Sequence, residues 1–168
     1  MSSLDPSIFV ILGSTGWRLR ELLTELPDAT LTKAIDDGWS VKHALAHLVD
    51  TEDVIARRIR RIVTEDHPLI ESIDPTARLK QGGYLKRGLE DLLAEFEMNR
   101  NFGLTLLKTL SDEKLVRLGT HDEAGEISAA DHAHQWAYHD LMHLKQIEAM
   151  LQKQLEAGMG NTRRFYDL

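Results

Sequence analysis

The sequence predicts an all-α protein built as a four-helix bundle. Three observations predict it. Four long segments carry apolar residues at helical spacing, no stretch alternates apolar and polar residues as a half-buried strand would, and the links between segments are short to medium. With 168 residues the chain has room for one domain with a substantial core, residues 1–168, and too little for two. No repeat or low-complexity tract interrupts it.

The first helix starts at Asp5-Pro6, because proline suits the first helical turn. Ile8, Leu12, Leu19 and Leu23 fall near one stripe that ends at Pro27, with Gly13 and Gly16 weakening the pattern. Ser40 is the expected N-cap of a second helix reaching about residue 65, with Leu45, Leu48, Ile55, Ile59 and Ile62 on its apolar face. A linker carrying His67-Pro68, Asp74-Pro75 and Gly82-Gly83 follows.

A third helix is expected from about 84 to 110, on the stripe Leu85, Leu89, Leu92, Leu93, Phe96, Leu107 and Leu110. Ser111 is placed to cap a short further turn, and "GTHDEAGE" (119–126) reads as a loop. Ser128 with Asp131 three residues on resembles a capping box and opens the last helix, which runs to about Gly158. The tail "NTRRFYDL" is expected to lie against the body or a second subunit.

The net charge is −7, with 20 basic and 27 acidic residues, which argues against a broad nucleic-acid or anionic-membrane surface. The chain has no cysteine, so disulfides, thiolate metal sites and cysteine nucleophiles are excluded. Any metal must be held by nitrogen and oxygen. "FVILG" (9–13) has no basic residue before it and Asp5 close by, unlike an export signal. No apolar run approaches bilayer length, and a cytoplasmic location is the expectation.

The last helix contains "AYHDLMHLKQIEAM" (137–150), with His139 and His143 four residues apart. At about 100° per residue they lie one turn apart on one flank and can share an ion. The pair alone is weak, since short motifs recur by chance. Its position adds weight, because the pair flanks the stripe of Ala133, Trp136, Leu144, Ile147 and Leu151. His132 is on the same flank but two turns away, too far to share an ion with both, and His134 points elsewhere. In "WSVKHALAHLVDTED" (39–53) His47 flanks the second helix's stripe, with His43 one turn earlier on the same flank. If the two helices face each other, one gives two imidazoles and the other gives one, from His47 or His43. Three protein ligands leave open positions, the catalytic pattern, and all-nitrogen ligation suits zinc or nickel. His67 and His121 sit in expected loops. "HDLMH" has the histidine spacing of a zinc-protease signature, but Asp140 replaces the glutamate base, so a protease of that type is not expected.

Three charges fall on apolar stripes: Glu52, Arg100 and Asp140. Unpaired buried charge is expensive, so Arg100 is expected to meet Glu52, Asp140 or both. A carboxylate could also hold a ligand histidine by its second ring nitrogen. Asp50 and Thr51, close to His47, and Gln146, near His143, are pocket candidates. Trp39 and Trp136 read as core.

The stretch "WSVKHALAHLVDTED" resembles the second-helix signature of the DinB-like/YfiT-like superfamily of metal-binding four-helix bundles, and residues 92–147, ending in H-D-x-x-H-x-x-Q-I, resemble the rest of that pattern. The resemblance extends from residue 5 to about 157. It implies a divalent metal, often nickel or zinc, on His47, His139 and His143, which ranks His43 below His47. It further implies a homodimer and a metal-dependent hydrolase or a transferase that uses a low-molecular-weight thiol, acting on a small molecule. A non-catalytic metal-binding or stress-associated bundle is the other reading, and a bundle holding no metal in the cell is a third. No nucleic-acid or membrane partner is expected.

Overall fold

Asp5 accepts a hydrogen bond from the Ser7 N–H at 2.8 Å and starts α1 (Pro6–Leu23) in the computed structural model, which describes residues 4–35 and 38–166. A short α2 (Asp28–Thr32) leads to α3 (Val41–Thr64). Ser40 caps α3 by accepting from the His43 N–H, while the His43 ring accepts from the Ser40 N–H at 3.2 Å. Histidine thus takes the place usually held by Glu or Gln in a capping box. The third long helix, α5, is Leu89–Thr109, and the fourth, α7, is Ala129–Leu155, opened by the expected Ser128/Asp131 box. Among these four, α3 packs on α5 and α7, and α1 packs on the same two. The order around the bundle is therefore α1, α5, α3, α7, with α3 and α7 side by side.

The connections hold more structure than the sequence predicts. The linker after α3 contains β1 (Leu69–Ile70) and α4 (Pro75–Gly82), capped by Asp74. Gly83 ends α4 at φ 63°, a left-handed turn, and a 3-10 turn (Tyr84–Lys86) follows. The third helix consequently starts at Leu89 rather than 84. Ser111 does cap a further turn, α6 (Asp112–Leu115). The stretch expected to be a loop forms a hairpin of β2 (Leu118–His121) and β3 (Gly125–Ser128). β2 also pairs in parallel with β1, giving the order β1-β2-β3. The strands leave no alternation to read, because the buried position of the hairpin is Gly119, which has no side chain. The last helix ends at Leu155, three residues before Gly158. The tail, described to Tyr166, does not pack against the body of its own chain, with Phe165 81% accessible.

The apolar core forms two clusters. One gathers Leu12, Ile59, Leu107 and Trp136, the other Leu19, Leu45, Phe96 and Ile147. The predicted charges bridge the helices between them. Arg100 donates to Glu52 (Nε 2.8 Å, Nη2 2.5 Å), to Asp140 (Nη1 2.6 Å, Nη2 3.0 Å) and to the Leu12 carbonyl (Nη1 2.7 Å). These satisfy all five guanidinium N–H groups. Trp136 Nε1 donates to Glu52 and Thr15 Oγ1 donates to Asp140. Four helices are thereby tied in one layer. Burial works against the Arg100 charge, but the hydrogen bonds and fields of the two carboxylates outweigh it and raise its pKa. Among the described residues no helix is long and apolar enough to cross a membrane.

Candidate metal centre

His139 and His143, one turn apart on α7, have ring centroids 4.4 Å apart. Because α3 lies alongside α7, His47 completes the group, 5.0 and 4.8 Å from those rings. The Nε2 atom of His139 lies 3.1 Å from Nε2 of His47 and 3.1 Å from Nε2 of His143. Among the described residues these three histidines are the group whose ligand atoms gather closely enough for one ion. Two nitrogens each 2.0–2.1 Å from a tetrahedral ion stand about 3.3 Å apart, so the spacing matches a divalent ion bound through three Nε2 atoms. The residues present fit such an ion.

The electrostatics agree. Burial, then the neighbouring His143, push His47 down from 6.5 to about 4. Burial, then His143 and His47, push His139 down to about 3. Burial also lowers His143, partly offset by Gln146. All three are neutral at pH 7, the form that ligates metal. His143 Nδ1 lies 2.7 Å from Gln146 Oε1, which places the ring proton there and leaves Nε2 as a lone pair. Trp39 covers the group, stacked on His143 at 6.5 Å and edge-on to His47 at 5.6 Å. Trp39 is half-buried, packing against the second core cluster while also forming a wall of this site.

The remaining candidates take other places. His43, the alternative third ligand, has its Nδ1 2.8 Å from Ser40 Oγ and is absorbed in the α3 cap. His132 is not in the group. His134 is exposed, as expected, and so is His67. His121, expected in a loop, lies at the end of β2 with its side chain 12% accessible. Asp50 is buried beside His47 but is held by Arg78 (2.6 and 2.8 Å) and by Tyr84 Oη at 3.2 Å. Thr51 donates its hydroxyl back to the His47 carbonyl at 2.6 Å. Gln146 orients a histidine. Glu52 and Asp140 go to Arg100, Trp136 and Thr15 rather than to a histidine, so the ion-pair reading of these acids holds over the one in which they orient the ligands. Arg78 and Tyr84 were not anticipated. They come from the linker, 28 and 34 positions from Asp50, and no local signal marks them.

Comparison with known proteins gives the same picture. A model of the DinB superfamily matches residues 13–147. A curated protein of Oceanobacillus iheyensis, "Putative metal-dependent hydrolase OB0782", is 27% identical over 116 residues, 69% of this chain and 67% of that one. The fold is similar to YfiT from Bacillus subtilis, described as "a probable metal-dependent hydrolase with an unusual four-helix bundle topology": TM-score 0.82, 20% identity, 92% of this chain and 91% of that one. It is also similar to a mutant of the mycothiol-dependent maleylpyruvate isomerase, with TM-score 0.65, 11% identity, 82% of this chain and 57% of that one.

Proposed function

The chain belongs to the DinB superfamily, and from that premise we propose that it is a metal-dependent hydrolase acting on a small molecule at His47, His139 and His143. The observation that carries the proposal is the convergence of three neutral Nε2 atoms, two of the separations being 3.1 Å. Zinc or nickel suits three imidazoles best. A divalent ion bound there supplies Lewis acidity and acidifies a coordinated water. The chain's own part is positional. Gln146 fixes the His143 ring, Trp39 shields two of the ligands from bulk water, and Asp50 anchors the α4 segment over α3 through Arg78 and Tyr84. Asp50, Thr51 and Gln146 are each engaged by protein groups, so none stands ready as a general base. Transfer of a low-molecular-weight thiol is the second reading, supported by the fold shared with the mycothiol-dependent isomerase. We extend the proposal to a cytoplasmic homodimer on the superfamily resemblance.

Elemental analysis of untagged protein purified without added metal tests the centre. About one divalent ion per chain is expected, lost in His47→Ala and in His143→Ala with helicity retained. Metal content unchanged in both variants overturns the proposal. Turnover of small esters and amides by the loaded protein supports hydrolysis, whereas turnover that requires an added thiol moves the assignment to transfer.

A further inference from the structure

The second half of α3 carries a basic run, "RRIRR" (57–61). Arg60 turns to the Phe102 ring, 5.1 Å from its centroid. The other three arginines line a cleft of about 230 Å³ between α3 and the stretch from β1 to α4, and Arg78 of α4 lines it with them. Buried Val54 and Ile70 add apolar wall. Four guanidiniums from two helices thus meet at one small space, in a chain whose net charge is −7.

Three of the four are matched. Arg57 pairs with Asp53, Arg61 with Glu65 at 3.0 Å, and Arg78 with Asp50 at 2.6 and 2.8 Å. Arg58 is the exception. It is half-buried, and among the described residues it donates from Nη2 to the Glu71 carbonyl at 2.5 Å and forms no ion pair with a carboxylate. Burial, reinforced by Arg78 and Arg57, lowers its pKa against the fields of Asp122 and Glu123. Asp122 is itself committed to the Ser72 N–H and hydroxyl. Cations withdrawn from water are normally paired, so Arg58 points to an anion that the chain does not supply. The one acid lining the cleft is Glu71, which is exposed and acts on Arg61. Guanidiniums arriving from two helices suit an anion with acceptors in several directions, a phosphate rather than a planar carboxylate.

We propose that this cleft binds the phosphate group of a small phosphomonoester, with Arg58 as its principal donor. Arg58 lies 11 residues along α3 from His47, about 16 Å, and the site does not depend on the chemistry of the histidine centre. The full-length zinc-loaded protein with ¹⁵N-labelled arginine is titrated at pH 7 and constant ionic strength with glycerol 3-phosphate, inorganic phosphate, acetate and glycerol, and the Nε resonances are followed by NMR. A saturable shift at Arg58 is expected with the two phosphates and not with acetate or glycerol. Followed at Arg78, the Kd for glycerol 3-phosphate should rise about tenfold in Arg58→Gln, roughly the loss of one charge-assisted hydrogen bond, and should fall in Glu71→Gln. Arg163→Gln removes the same charge from the tail beyond α7 and should leave the Kd unchanged. Phosphate can also ligate a metal, so binding should persist in His47→Ala. Glu71 is exposed, so its variant decides the matter if Arg58→Gln does not fold. No saturable shift, an equal response to acetate, a Kd unmoved by Arg58→Gln, an equal loss in Arg163→Gln, or binding abolished in His47→Ala overturns the site.

Discussion

Gln146 Oε1 lies 2.7 Å from His143 Nδ1, the protein hydrogen bond seen on the outer ring nitrogen of a candidate ligand. The Nδ1 atoms of His47 and His139 are enclosed without a partner. Outer hydrogen bonds fix the tautomer and orientation of a ligand, and their loss typically lowers metal affinity about 10–100-fold. Gln146→Leu is expected to weaken zinc binding in that range, measured by competition with a chromophoric chelator. Gln146→Glu keeps an acceptor and is expected to retain the affinity. Equal affinity in wild type and Gln146→Leu would show that the contact does not tune the site.

Among the described residues Arg100 is the single cation paired with Glu52 and Asp140 in the buried layer. Replacing it with methionine leaves two carboxylates without a counter-charge, and breaking a buried pair in this way costs about 3–5 kcal/mol. Urea denaturation at pH 7 reads this directly. The deficit should narrow as pH falls. Burial already raises Glu52, against the pull of Arg100, and removing Arg100 raises it further. A carboxyl whose folded pKa exceeds its unfolded value takes up protons more readily when folded, so acid favours the fold. A deficit that stays constant from pH 7 to pH 4 would contradict this account.

The four long helices were legible because each buries a stripe long enough to show its period, as Leu45, Leu48, Ile55, Ile59 and Ile62 do on α3. The Arg100 layer was legible for the converse reason, as charges on apolar stripes must find one another. The small sheet was not, because two four-residue strands around Gly119 carry no alternation. Asp50's partners were not, because Arg78 and Tyr84 reach it through tertiary folding of a linker. The histidines divide along the same line. The His139/His143 pair is a local property of one helix, but His47 and His43 share a flank, and their helical phase alone does not separate them. A local clue existed: His43 stands three residues after Ser40, the spacing of a capping box, and that is where its ring goes.

Gly103 on α5 admits Trp136 to the core. A Cβ at that position would lie 2.3 Å from Trp136 Cη2. Gly103→Ala gains helix propensity, up to about 1 kcal/mol, but overpacking of this kind costs about 1–3 kcal/mol. The variant should be destabilised, and the displaced indole should weaken the Trp136 bond to Glu52, which is 2.9 Å long. Tryptophan fluorescence should report the altered environment alongside a lower urea midpoint. A midpoint at or above wild type would mean that Trp136 moves aside without loss.

Metal-free protein should lose stability in acid over a window set by the histidine centre. His47 and His139 have folded pKa values of about 4 and about 3, below the 6.5 of the unfolded chain, chiefly because burial disfavours the charged ring. Between those limits the unfolded chain holds more protons than the folded one, so stability falls as pH falls. Above about pH 6.5 both states are neutral at these positions and the contribution is complete. Below about pH 3 both are charged and the loss is complete. The urea midpoint of metal-free protein should therefore be level above pH 7 and decline between pH 6.5 and 4. Replacing His139 with leucine removes one of the groups that must charge on unfolding, so the profile of that variant should be shallower over the same window. Saturating zinc opposes the decline, since the ion binds the neutral rings and stabilises the fold by mass action. A wild-type profile with no more slope than the His139→Leu variant would show that the buried imidazoles are not what acid attacks first.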